Sequence, residues 1–351
     1  MESVQVAASR PYRVDIGRGL LDGCGGRIRA LLPADRVALI ADETVDALYG
    51  GRVAASLQTA GYRVVRYAFA PGEAHKTLET VSGILDFLAA RALTRADCVA
   101  ALGGGIVGDV AGFAASIYLR GVPFVQLPTT FLAAIDSSVG GKTGVNLTAG
   151  KNLAGAFWQP SYVLCDCDTF ATLPPAVFAD GAAEAIKYGV LADAALFQRL
   201  EQGCLTDGIE QVTRRCVSIK SELVARDEFD RGERQLLNFG HTLGHAVEKC
   251  SGYAITHGHA VAVGMVAAAR LGVKLGVTED AALPDRLCAV LTRHNLPHRT
   301  AFSADALLSA LLRDKKRMGD TIAWVLPRRI GQCVLHRLPV AGLPALLEGC
   351  I

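Results

Sequence analysis

Cys98-Val99-Ala100-Ala101-Leu102-Gly103-Gly104-Gly105-Ile106-Val107-Gly108-Asp109 is the stretch that decides the fold. It reads as a short apolar strand, a glycine turn and the opening of a helix. Glycine at such a turn lets backbone N–H groups approach a pyrophosphate, and a helix N-terminus favours its negative charge. The run satisfies G-x-G-x-x-G, but this is a weak motif, because a plain strand-to-helix turn uses the same letters. The expected acidic residue about twenty positions later is missing. Asp42, at the end of an earlier apolar run, is the alternative partner for a ribose.

Outward from this stretch the pattern repeats. Residues 37–41, 63–69, 124–127 and 163–165 are further candidate strands, and 45–60 and 78–93 carry apolar residues at helical spacing. Strands separated by helices of that length imply βαβ units in a parallel sheet, with ligand loops at the carboxyl ends of the strands. The character changes near Pro174-Pro175. From there to about residue 313 the chain reads as successive helices, followed by a hairpin from 321–326 and 333–338 across Gly331 and a short helix at 343–348. The expected organisation is an α/β domain over residues 1–173 and a mainly α-helical domain over 174–351.

Composition narrows the class. Of 351 residues, 51% are hydrophobic and only 6% aromatic, which suits a large α/β protein and argues against disorder. Basic and acidic residues nearly balance, 36 against 34, so nucleic acid is not an implied partner. The ten cysteines form no CxxC pair, and Met1-Glu2-Ser3-Val4 lacks the pattern of a secretion signal. The longest apolar run, 261–269, is too short to span a bilayer. These features lead to the expectation of a cytoplasmic protein without membrane segments.

Gly140-Gly141-Lys142-Thr143-Gly144 invites a P-loop reading, which fails because Asp136 stands where the first glycine belongs. What remains is a cluster of Asp136, Lys142, Asn146, Lys151 and Asn152 in an expected glycine-rich loop. Two lysines and two amides near one aspartate suit an anionic, hydroxylated ligand. A solvated loop is the commoner fate of such runs, but Thr129-Thr130 upstream tilts the balance toward a site.

The strongest local signal is Asn238-Phe239-Gly240-His241-Thr242-Leu243-Gly244-His245. On a helix His241 and His245 stand one above the other. Gly240 and Gly244, on a neighbouring stripe, would let a helix or ligand come close, at about 1 kcal/mol each relative to alanine. His257-Gly258-His259 follows, before another expected helix. This grouping of histidines points to zinc or a similar divalent ion. Glu184, in an otherwise small and apolar helical segment, is the best carboxylate candidate, although an ordinary helix pair with Lys187 is the alternative.

Taken together, these residues resemble the 3-dehydroquinate synthase family of sugar phosphate cyclases. The resemblance covers nearly the whole chain, from Ala41-Asp42-Glu43-Thr44-Val45 and Pro71-Gly72-Glu73-Ala74-His75-Lys76 to Asp314-Lys315-Lys316. Its most specific part runs from Pro128-Thr129-Thr130 through Asp136-Ser137-Ser138-Val139-Gly140-Gly141-Lys142-Thr143-Gly144-Val145-Asn146. It implies an NAD-binding α/β domain with a parallel sheet and a mainly helical metal-binding domain. By motif, NAD would meet Asp42, Glu73, Lys76, Gly104, Gly105, Asp109, Thr129, Thr130, Lys142, Lys151, Thr172 and Leu173. The metal, zinc or alternatively cobalt, would be held by Glu184, His241 and His257. Asp136, Lys142, Lys187, Lys220, Arg234, Asn238 and His245 would be catalytic, with Asn152 and Lys315 or Lys316 also at the substrate. Arg120 resembles an arginine that reaches a neighbouring subunit's phosphate site, which implies a homodimer. One departure stands out: the family often has Glu where this chain has His259, which leaves open whether His259 competes as a ligand.

The implied reaction is a lyase step of the shikimate pathway to aromatic amino acids, from 3-deoxy-D-arabino-heptulosonate 7-phosphate to 3-dehydroquinate and phosphate. NAD would be reduced and reoxidised within each turnover. The rivals are cyclases making 2-deoxy-scyllo-inosose or 2-epi-5-epi-valiolone, a metal-dependent polyol dehydrogenase, and a non-catalytic NAD-binding regulator. The first tend to alter Arg234, Asn238 or the Lys315 region, all retained here. The dehydrogenase would not need Lys142, Asn152 and Arg234 together.

Overall fold

The apolar runs of the first half become nine strands in the computed structural model, which describes residues 1–312, 317–318 and 320–351. They are β1 (Glu2–Val6), β2 (Tyr12–Gly17), β3 (Arg36–Asp42), β4 (Arg63–Phe69), β5 (Cys98–Gly103), β6 (Phe124–Pro128), β7 (Lys142–Leu147), β8 (Gly150–Phe157) and β9 (Tyr162–Asp166). Seven form one sheet in the order β1-β2-β9-β6-β5-β3-β4. All its neighbours are parallel except β1 and β2.

The helices of this half are α1 (Cys24–Arg29), α2 (Glu43–Val45), α3 (Gly51–Thr59), α4 (Leu78–Ala90) and α5 (Gly105–Ile117). Side chains alternate across the central strands, as a period of two requires. Val37, Leu39 and Ala41 pack with Val53 and Leu57 on one face, while Ala38 and Ile40 pack with Val81, Ile84, Val110 and Ala114 on the other. A sheet covered on both faces explains why these strands read as continuous apolar runs.

Two features depart from the sequence reading. The N-terminal strand pair was not expected, because β1 is short and mostly solvent-facing. The glycine-rich stretch around Asn146 is no loop but the antiparallel hairpin β7–β8. A Cβ at Gly144 would lie 2.6 Å from the Ala154 carbonyl oxygen, and one at Gly155 2.1 Å from that of Thr143. The glycines therefore serve close strand approach rather than loop freedom.

The second half supplies α6 (Pro175–Ala192), α7 (Ala194–Glu201), α8 (Ile209–Arg226), α9 (His241–Cys250), α10 (His257–Lys274), α11 (Leu283–Arg293), α12 (Ala304–Leu312) and α13 (Leu343–Leu347). A small antiparallel sheet of β10 (Arg317–Met318), β11 (Thr321–Arg329) and β12 (Gln332–Pro339) accompanies them. Gly240 precedes α9 in a left-handed conformation, φ +79°, so only Gly244 lies inside that helix. At Gly264 a Cβ would fall 1.9 Å from the Gly240 carbonyl oxygen, so α9 and α10 meet through their glycines.

The chain forms two compact units, one of Met1–Leu173 with Thr213–Phe229 and one of Pro174–Val212 with Asp230–Ile351. The segment Thr213–Phe229, from the expected helical half, is tied to the first unit by side chains. Lys220 Nζ lies 2.8 Å from Asp136 Oδ1, Ser221 Oγ donates to the Gln5 carbonyl at 3.1 Å, and Glu228 accepts from the Ser9 N–H at 2.8 Å.

Candidate active site

In the first unit the expected nucleotide residues gather where the parallel strands end. Gly103 closes β5, Gly105 opens α5, and the Thr129 N–H donates to the Gly103 carbonyl at 2.9 Å. A Cβ on Gly104 would press to 3.1 Å from the Thr130 methyl, and one on Gly105 to 2.9 Å from the Ser137 hydroxyl. The turn therefore presents bare backbone, as a pyrophosphate needs. Asp42 ends β3, where its carboxylate caps α2 by accepting from Val45 N–H at 3.0 Å. Thr172 accepts or donates at the Tyr49 hydroxyl, 2.6 Å away, and the Leu173 N–H bonds the Phe170 carbonyl at 3.2 Å.

Beside this cradle runs a continuous polar network. Lys76 donates to Asp109 at 2.5 Å and to the Asn152 amide oxygen at 2.6 Å. Asn146 donates to Glu73 at 2.7 Å and accepts from the Asn152 N–H at 2.9 Å, while Lys151 lies 3.7 Å from Glu73. Burial pushes the Asp109 carboxyl up, and the Lys76 ammonium pulls it back only in part. Asn152 sits at φ +53°, a left-handed conformation that asparagine tolerates better than most residues. Lys142 opens β7 and is exposed. Lys220 reaches both the Asp136 carboxylate and its backbone carbonyl, at 2.8 and 2.7 Å.

Arg120 stands apart from this group. It is exposed, at φ +67°, just beyond the far end of the 13-residue helix α5. Such a helix is about 20 Å long, so Arg120 is remote from the glycine turn of its own chain.

In the second unit three helices converge on a buried carboxylate. Glu184, on α6, is fully buried, and His241 and His257 are the first residues of α9 and α10. Both imidazole Nε2 atoms lie 3.5 Å from Glu184 Oε1. Its other oxygen, Oε2, pairs with Lys187, one turn away and also buried. His241 Nδ1 lies 3.1 Å from the Phe239 carbonyl, which can only accept. The Nδ1 proton is therefore spent there, and Nε2 keeps its lone pair. Glu248 Oε2 stands 3.4 Å from His257 Nδ1 and can accept its proton's hydrogen bond. Burial works to lower the His257 pKa, yet the neighbouring Glu184 and Glu248 carboxylates hold it up, to about 10, so the metal-free ring carries a proton on Nε2 that a bound ion would displace. A cation is favoured in that field.

The donor set fits a divalent ion. An ion bonded at about 2.1 Å to tetrahedral nitrogen and oxygen ligands holds them about 3.4 Å apart. Two imidazole nitrogens at 3.5 Å from one carboxylate oxygen match that spacing and are long for hydrogen bonds. Among the described residues, two groups of three bring their ligand atoms within 4.8 Å of one another: Glu184, His241 and His257, and His245, Glu248 and His257. Neither contains His259.

His245 stands near both histidines, with ring centroids 5.6 Å from His241 and 6.1 Å from His257. Arg234 is almost completely buried in the turn Glu233–Asn238, whose last residue donates to the Gln235 carbonyl at 3.0 Å. Lys315 and Lys316 lie outside the described residues. Glu248 was missed from sequence, although its spacing of three from His245 places it on the same helix face. Among the described residues, no helix is long and apolar enough to cross a membrane.

Comparison with known proteins shows the family. Residues 66–180 match the family model "3-dehydroquinate synthase N-terminal" and residues 181–317 its C-terminal counterpart. A 3-dehydroquinate synthase of Caulobacter vibrioides is 46% identical, with 97% of each chain covered. A crystal structure of 2-deoxy-scyllo-inosose synthase with carbaglucose-6-phosphate, NAD+ and Co2+ superposes with a TM-score of 0.89 at 26% identity, over 99% of this chain and 100% of that one. The 2-epi-5-epi-valiolone synthase ValA of Streptomyces hygroscopicus, with NAD+ and Zn2+ bound, gives 0.87 at 30% identity, over 97% and 96%.

Proposed function

The chain belongs to the 3-dehydroquinate synthase family, and from that premise we propose how its residues divide the work. The enzyme is a lyase that converts 3-deoxy-D-arabino-heptulosonate 7-phosphate to 3-dehydroquinate and phosphate, using NAD and a divalent metal. When bound, NAD takes up and returns a hydride, and the metal polarises the hydroxyl undergoing oxidation.

Glu184, His241 and His257 hold the metal, with zinc favoured by two imidazoles and one carboxylate. Lys187 neutralises the second oxygen of Glu184 and so keeps that carboxylate in one orientation. Gly104, Gly105, Thr129 and Thr130 take the pyrophosphate of NAD, Asp42 a ribose, and Thr172 and Leu173 the adjoining edge of the nucleotide. Glu73, Lys76, Asp109 and Lys151 form the wall that their mutual bonds already rigidify.

Arg234 offers a planar fork to the substrate's carboxylate. Lys142 adds an exposed positive charge, and Asn152 a hydroxyl partner. Asn238 and His245, with Lys315 or Lys316, receive the phosphate. Lys220 fixes Asp136 so that its remaining oxygen can accept from a sugar hydroxyl. Ring opening and aldol closure then depend mostly on how the substrate is held. Arg120 serves the phosphate site of a second copy, which makes the working unit a cytoplasmic homodimer.

The observation that carries this reading is the pair of imidazole nitrogens 3.5 Å from one buried carboxylate oxygen. It is tested by metal analysis. Zinc should be retained through dialysis by the wild type and lost by Glu184→Ala and His241→Ala, with NAD binding intact. Wild-type protein that binds no divalent ion would end the reading.

A further inference from the structure

Asp180 lies one turn before Glu184 on α6, and its Oδ1 gathers three bonds from the start of α10. The Thr256 hydroxyl donates at 2.7 Å, the His259 backbone N–H at 3.1 Å, and His259 Nδ1 stands at 2.9 Å. Thr256 occupies the N-cap of α10, but its own side chain caps nothing. A helix start needs an acceptor for the N–H of its second or third residue, and an N-cap side chain ordinarily provides it. Here a carboxylate from another helix does so, with the added attraction of its charge for the helix N-terminus.

The contact is close as well as polar. A Cβ on Gly258 would lie 2.3 Å from Asp180 Cα, so only glycine lets the first turn of α10 sit this near to α6. His259 is turned into the joint. A carboxylate only accepts, so Nδ1 carries the proton and donates to Asp180. Asp180 and His259 are both largely shielded, their side chains 11% and 22% exposed.

We propose that Asp180, clasped by Thr256 and His259, is a positioning residue of the metal centre that sets the spacing between Glu184 and His257. It rests on the assignment of those two residues as metal ligands. Glu184 follows Asp180 by one helical turn, and His257 lies between the two residues that Asp180 holds. A shift at the clasp is therefore passed to both donors through short, stiff backbone. His259 takes part as a strut, not as a ligand.

The test is zinc affinity, measured by chelator competition on the full-length protein beside NAD affinity and unfolding midpoint. Asp180→Ala should weaken zinc about 10- to 100-fold, as loss of an outer-shell partner does, and leave NAD affinity unchanged. Asp180→Asn keeps an accepting oxygen and should recover most of the loss. His259→Ala and Thr256→Val each remove one side-chain bond to Asp180, and with it the 2.8 Å contact between Thr256 Oγ1 and His259 Nδ1; each should weaken zinc several-fold, and they decide the matter if Asp180→Ala does not fold. Wild-type zinc affinity in Asp180→Ala, or in both single-bond variants, overturns the clasp. His259→Ala losing zinc as fully as His257→Ala also overturns it, by making His259 a ligand. Glu184→Ala run in parallel separates the two levels: if it too retains zinc, the ligand assignment itself has failed.

Discussion

Lys76 Nζ lies 2.5 Å from the Asp109 carboxylate, which ties the turn before α4 to the glycine-opened helix α5. Both side chains are mostly shielded, 7% and 19% exposed. Removing the ammonium leaves a desolvated carboxylate with a poorer partner, so Lys76→Ala should destabilise the fold by about 2 kcal/mol and weaken NAD. The effect has a sign in pH. Asp109 already titrates above its ordinary value of 3.8 because burial outweighs Lys76. Its ionised form is thus the penalised one, and that penalty fades as pH falls through the raised pKa. Urea unfolding of wild type and Lys76→Ala should therefore show a gap that narrows as the pH is lowered from neutrality. A gap that widens on acidification contradicts this account of the pair.

Removal of the metal should leave a folded, inactive protein, because the helices around the site have their own apolar core. Val261, Met265 and Leu271 of α10 and Leu243 and Val247 of α9 are buried. Far-UV circular dichroism should change little on chelation, and added zinc should restore activity. Global unfolding on chelation would instead make the ion structural.

Arg234 is nearly fully buried. Arg234→Ala should lose on the order of 2 kcal/mol of transition-state stabilisation, roughly thirtyfold in kcat/KM, as expected for a charged hydrogen bond. Arg234→Lys, which keeps the charge but not the fork, should recover only part of this. Full recovery would show that charge alone is needed.

Arg120, remote from its own glycine turn, can be tested by complementation. Arg120→Ala mixed with Lys142→Ala after subunit exchange should regain about a quarter of wild-type activity, because half the dimers are hybrid and carry one intact site. No recovery despite proven exchange would remove Arg120 from the partner's site.

The central strands were legible because a sheet buried on both faces leaves continuous apolar runs, as at Val37–Ala41 with Val99–Leu102 beside them. The β7–β8 hairpin was not. Its glycines signal a loop by composition, whereas their use is close strand approach, which only coordinates reveal. In the site, His241, His245 and His257 stood out by residue type and spacing. Asp180 and Glu248 did not, since an acidic residue in a helix is unremarkable until its partner, distant in sequence, is placed beside it. His259 directs its backbone N–H and Nδ1 to Asp180, and among the described residues it belongs to neither candidate ligand group.

A single assay that follows phosphate and nicotinamide absorbance together decides whether the hydride is recycled. Purified protein with NAD and zinc is given 3-deoxy-D-arabino-heptulosonate 7-phosphate. Phosphate should be released steadily with no net reduction of the cofactor, because the hydride is returned in every turnover. Phosphate released from glucose 6-phosphate instead, or reduced cofactor accumulating in step with substrate loss, would contradict this reading.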